Sequence, residues 1–229
     1  MEGRGYEKLV ALYLRLNGYF IVDNFILHRE RSGQMTEVDV FGVRFPHQVE
    51  KLGETEMLND PKLVDPDQDW VDVVFAEVKS GSPKVNEPWH QQGVLEYILR
   101  FVGFTDKEAK VSEVAECLRT RYHAEYGDFR FRIVAFGQGD ALHESEEGLQ
   151  TIPPIPLQHT LDFVRKRFYR FKRQKADISQ WDNATLQGYL LRELRQGKRL
   201  SLKGIERWGQ KMMECSSVIL DDVMKRGEV

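Results

Sequence analysis

The chain has 229 residues, 41% of them hydrophobic, enough to bury one sizeable core or one core with a small appendage. Its formal net charge of -3 excludes a globally basic nucleic-acid binder and leaves room only for a local basic patch. The two cysteines, Cys117 and Cys215, form no Cys-x-x-Cys pair and suggest neither a disulfide framework nor a cysteine-rich zinc site, and no apolar run reaches the roughly 18 residues needed to span a membrane, so a soluble, cytoplasmic protein is expected.

In chain order, Tyr6, Leu9, Val10, Tyr13, Leu14 and Leu16 recur at helical spacing, and Asn17-Gly18 supplies a stop. Tyr19 to Leu27 reads as a strand. Met35 to Phe45, with Val38, Val40, Phe41 and Val43, reads as a second strand paired with it as a hairpin. Residues 46–69 are loop-like, proline-bearing and acidic, the mark of an insertion. Trp70 to Lys79 is nearly continuous apolar sequence, as in a strand buried on both faces, and Ser80-Gly81-Ser82-Pro83 ends it. Gln91 to Val102 and about Asp106 to Tyr122 read as helices, and Phe129 to Phe136 as a fourth strand closed by Gly137-Gln138-Gly139.

Beyond Ile152 to Pro156, the residues Leu157, Leu161, Val164, Phe168 and Phe171 step by four and three as an amphipathic helix. Its other face carries Arg165, Lys166, Arg167, Arg170, Lys172 and Arg173, the densest positive cluster in the chain. That face is either a solvated surface or a contact for the phosphate backbone of DNA, where binding would be salt-sensitive. Two more helices, Ala184 to Arg195 and Leu202 to Cys215, suggest a hairpin for docking or dimerisation, or a helix-turn-helix. No histidine has metal-ligand spacing, and no P-loop, dinucleotide fingerprint or Gly-x-Ser-x-Gly is present.

The chemistry concentrates at Glu77-Val78-Lys79, at the exit of the buried strand, with Asp39 on the neighbouring one. Residues two apart on a strand share a face, so Glu77 and Lys79 point the same way with the Val78 carbonyl beside them. A hard cation such as magnesium takes one or two carboxylates and fills its other positions with water and phosphate oxygens, which Asp39 and Glu77 provide for. Lys79 would hold the nucleophile or stabilise the extra charge on phosphorus, and hydrolysis of a phosphodiester is the natural reaction.

Over residues 1 to 140 this arrangement resembles the PD-(D/E)XK nuclease superfamily. The resemblance rests on a helix with Glu7, Asp39 on the second strand, Glu77-Val78-Lys79 on the third, and a following helix with Gln92. It implies an α/β fold, a restriction-endonuclease-like αβββαβ core with a mixed central sheet, to which the C-terminal helices read above add a helical extension. Residues 1–150 would form the nuclease-like domain, with 46–69 inserted, and 151–229 the extension. The resemblance further implies cleavage of DNA with Mg2+ or Mn2+, metal ligation by Asp39, Glu77, the Val78 carbonyl and Glu7, Lys79 as the catalytic lysine, and Gln92 assisting. A homo-oligomer, a partner ATPase or sensor protein, and a role in restriction or defence against foreign DNA are also expected from it. The competing readings are a non-catalytic nuclease-fold subunit that binds DNA or a partner protein, and cleavage of RNA.

Overall fold

The structure, a computed structural model, describes residues 4–28, 34–52, 54–65, 69–139, 153–171 and 186–226. Helix α1 (Arg4–Leu16) leads into the hairpin β1 (Phe20–His28) and β2 (Gln34–Arg44), then β3 (Glu50–Leu52), β4 (Thr55–Met57) and β5 (Val71–Val78). A short 3₁₀ turn (Glu87–His90) precedes α2 (Val94–Val102) and α3 (Glu108–Arg121), followed by β6 (His123–Tyr126), β7 (Phe129–Gly137) and β8 (Ile155–Pro156). Helices α4 (Leu157–Arg170), α5 (Leu186–Arg195) and α6 (Leu202–Arg226) complete the described chain. The central sheet runs β1-β2-β5-β7-β6, with β8 beside β7. It is mixed: β5/β7 and β7/β8 are parallel, and the other pairs are antiparallel. The parallel pair β5/β7 needs a crossover, and α2 and α3 supply it.

Strand β5 explains its own composition. Val73 and Phe75 bury against α2, α3 and Trp89, while Val74, Ala76 and Val78 bury on the opposite face against α1 and α4 to α6. With helices on both sides, the strand is apolar at every position but Asp72 and Glu77, both of which are buried and paired.

Several elements differ from the sequence reading. The 46–69 stretch is not simply a loop, because β3 and β4 form a hairpin of their own and Met57, Leu63 and Val64 are buried. Asp60 pins it down: its carboxylate accepts from Tyr13 Oη at 3.0 Å and pairs with His159 Nε2 at 2.6 Å, and its N–H donates to Asn17 Oδ1 at 2.7 Å. Strand β6 is an additional edge, too short to show an alternation. Helix α2 starts at Val94 rather than Gln91, because Gly93 adopts a left-handed φ of 90° and its N–H is held by Glu96 Oε2 at 2.9 Å. Helix α6 runs to Arg226, eleven residues past the predicted end at Cys215. The three C-terminal helices share the apolar cluster of α1, to which they contribute Leu161, Phe168, Leu190, Ile205 and Trp208.

Candidate functional site

The β2/β5 ladder runs from Arg44↔Asp72 to Val40↔Ala76 and stops there. Continuing the register one step brings Asp39 beside Glu77. The Val78 N–H donates to Asp39 Oδ2 at 2.7 Å, so a side chain takes the place that a ladder carbonyl would otherwise fill.

Face alternation also breaks at this level. Val40 packs with α1 and Val38 with α2 and α3, although residues two apart on a regular strand share a face. Strand β1 switches in step, since Asp23 pairs with Lys8 of α1 while Phe25 packs on the α2 side. Between them Asn24 has a left-handed φ of 55°. With its amide oriented to suit its neighbours, Asn24 Nδ2 donates to Glu7 Oε2 at 3.3 Å and to Glu37 Oε1 at 3.2 Å. A local irregularity in two adjacent strands therefore brings Glu7 and Asp39 toward Glu77, with Glu37 beside Glu7.

Glu77 is fully buried, and three donors hold it. Lys79 Nζ and Asn86 Nδ2 donate to Oε1, and Trp89 Nε1 donates to Oε2 at 2.7 Å. The shared face of Glu77 and Lys79 is thus a direct ion pair. Asn86 and Trp89 were not singled out from the sequence. The available signal was that a buried tryptophan seeks an acceptor for its N–H, and the buried acid lies twelve residues upstream.

Asp39 carries the electrostatic signature of the site. Burial, and after it the charge of Glu77, push its carboxyl up to about 7, with Glu7 adding to the rise and the Val78 N–H and Lys79 opposing it. Glu7 is raised as well, first by burial and then by Glu37, against Arg4 and Lys8. The pocket holds more carboxylate than it neutralises.

Among the described residues no group of three or more His, Cys, Asp or Glu is arranged as a metal site. The pair Asp39 and Glu77 suits a magnesium-type ion nonetheless, since such an ion asks for only one or two carboxylates, although Lys79 already pairs with Glu77. Asp39 Oδ1 carries no hydrogen bond to a described residue, and Glu77 Oε2 has a single donor. Glu77 Oε1 is already shared by Lys79 and Asn86.

Other predicted residues fall elsewhere. Gln92 is exposed, in the turn before α2 and not on the helix, with no hydrogen bond to a described residue. Arg167 is buried, not part of a basic surface: Nη2 donates to the Leu58 carbonyl at 2.6 Å, Nη1 to Glu50 Oε2 at 3.4 Å, and its guanidinium lies over Phe163 at 5.1 Å. It secures the β3/β4 hairpin to α4, a role that removes it from phosphate contact. Arg165 pairs with Asp162 at 3.0 Å, whereas Lys166 and Arg170 are exposed. Lys172 and Arg173 lie outside the described residues.

The fold and site define an α/β protein with a mixed central sheet, six α-helices among the described residues, and a buried glutamate beside a half-buried aspartate and a lysine at the end of its central strands. No family model, curated protein or solved structure matches the chain. No helix among the described residues is long and apolar enough to cross a membrane.

Proposed function

We propose that this chain is a divalent-metal-dependent phosphodiester hydrolase of the restriction-endonuclease-like type that cuts DNA at internal bonds. The observation that carries this reading is Asp39. This half-buried carboxylate lies one register step past the β2/β5 ladder, beside the buried Glu77, and the repulsion between the two, which with burial raises Asp39 to about 7, is what a bound cation would relieve. Asp39 and Glu77 would hold magnesium or manganese, and Glu7 adds negative charge from α1. Such an ion, when bound, draws charge from phosphate oxygens and eases ionisation of water. The chain's own part is positional: Lys79, tethered to Glu77, places an ammonium where negative charge develops on phosphorus. Lys166 and Arg170 offer exposed cations for the phosphate backbone, without Arg167.

Supercoiled plasmid incubated with the protein in magnesium, manganese or EDTA, beside Asp39→Asn and Lys79→Met, tests the reading. Metal-dependent nicking that drops about a hundredfold or more in both variants is expected. One observation favours a second reading, a non-catalytic subunit that binds DNA. The three donors on Glu77 already form a closed hydrogen-bond set, as a purely structural acid would have. Wild type as inert as both variants in every metal would sink the hydrolase and leave that subunit.

A further inference from the structure

The opposite end of the β2/β5 ladder holds an unusual cation. Arg44 lies five residues along β2 from Asp39, about 17 Å away at strand spacing. Only 4% of its surface is exposed. Its Nε donates to the Asn17 carbonyl at 3.2 Å, Nη1 to the Phe45 carbonyl at 3.4 Å and Nη2 to the Gln48 carbonyl at 2.8 Å. All three acceptors are neutral, and a guanidinium has five N–H groups, so two remain. The anion across the ladder, Asp72, is committed elsewhere. Its Oδ1 accepts from Arg132 Nε at 3.0 Å and Arg130 Nε at 3.2 Å, and its Oδ2 from Arg132 Nη2 and Tyr19 Oη. A buried charge without a contacting counter-ion is costly, and the charge of Asp72 offsets the burial of Arg44 only from a distance.

Arg44 also lines a cavity of about 360 Å³. The rest of the wall is mixed, with Val49, Met57, Leu58 and Val64 of the 46–69 stretch on its apolar part and the His47 ring, two amide side chains and the exposed carboxylate of Glu56 on its polar part. The volume lies in the range of small-molecule sites, and an apolar wall with a few polar groups, here the buried Arg44 among them, is their usual composition.

We propose that this cavity binds a small organic anion, with a carboxylate or phosphate head on Arg44 and an apolar body against Val49, Met57, Leu58 and Val64. The site is separate from Asp39 and Glu77 and does not depend on hydrolysis. The β3/β4 hairpin thereby has a use of its own, since Glu56 and Met57 of β4 line the cavity.

Calorimetric titration of the full chain with benzoate, phenyl phosphate and inorganic phosphate, and with neutral benzyl alcohol, tests this. At least one aromatic anion should bind saturably and about tenfold or more tighter than the alcohol, the worth of a charged hydrogen bond. Benzoate against phenyl phosphate distinguishes the two head groups, and inorganic phosphate alone should bind more weakly than phenyl phosphate. Arg44→Lys should weaken the anions. Because Arg44 also supports the fold, Val49→Trp is the second variant. It begins from a half-exposed side chain, fills the cavity and leaves Arg44 in place. Its melting temperature should match wild type, while anion affinity falls about tenfold or more. Asp39→Asn should bind as wild type does. No saturable binding, equal binding of alcohol and anions, or unchanged affinity in Val49→Trp overturns the proposal.

Discussion

Asp39 concentrates the physical tension of the site in one carboxyl group. An unfolded aspartate titrates near 3.9, whereas burial and Glu77 push Asp39 up to about 7. Between those values the folded chain keeps a proton that the unfolded chain has released. Stability from this group is therefore fully present below the unfolded value and is lost as pH rises through the folded one. Replacing Asp39 by Asn removes the charge and keeps an oxygen for the Val78 N–H. In EDTA, urea denaturation should find Asp39→Asn more stable than wild type by about 1 kcal/mol or more at about pH 8, and little changed at about pH 4. Equal shifts at both pH values would remove the electrostatic account. At the higher pH, added magnesium should raise the melting temperature of wild type and leave Asp39→Asn where it was, since an ion that binds only the folded state stabilises it.

At the scale of elements, the crossing of α1 and α6 is set by close backbone approach. A Cβ on Gly5 would stand 2.5 Å from the Ile205 carbonyl oxygen, and one on Gly209 would stand 2.6 Å from the Gly5 nitrogen. Neither obstacle is a side chain that can swing away. Alanine favours a helix over glycine by up to about 1 kcal/mol, yet Gly5→Ala should destabilise the protein by about 1–3 kcal/mol in chemical denaturation, because the helices must separate. A neutral or stabilising result would mean that α6 slides along α1 at little cost. The same scale separates what the sequence made legible from what it hid. The elements α1, β1, β2, β5 and β7 carry long periodic or continuous apolar patterns that local chemistry dictates, and all were read within a few residues. The strands β3, β4 and β6, at three or four residues, have no room for a period and exist through their pairing partners. In the site, period two placed Glu77 and Lys79 together. The switch of faces at Asn24 and Asp39, the two side-chain donors from the 80–90 loop and the burial of Arg167 all depend on tertiary packing that no local pattern records.

The whole molecule turns on whether its C-terminal helices are an appendage or part of the core that supports the site. Helix α1 carries Glu7 on one turn and Tyr6 on the same turn, and Tyr6 Oη donates to Glu206 Oε2 of α6 at 3.1 Å. Beneath that contact Leu186, Leu190, Leu191, Leu200, Ile205 and Trp208 bury against the same cluster as Leu9, Leu12 and Tyr13. Each large apolar side chain contributes about 1.5–3 kcal/mol on full burial, so losing six of them is comparable with the whole stability of a typical domain, about 5–15 kcal/mol. A fragment ending at residue 171 would keep every strand of the sheet and still expose one side of α1. It should therefore lack a cooperative thermal transition, bind hydrophobic dye or aggregate, and lose any metal response at Asp39, because α1 no longer holds its acid in register. A soluble fragment with a sharp melt and an unchanged magnesium shift would instead make α5 and α6 a separable unit, and would relieve the α1/α6 crossing of any part in holding the acid cluster together.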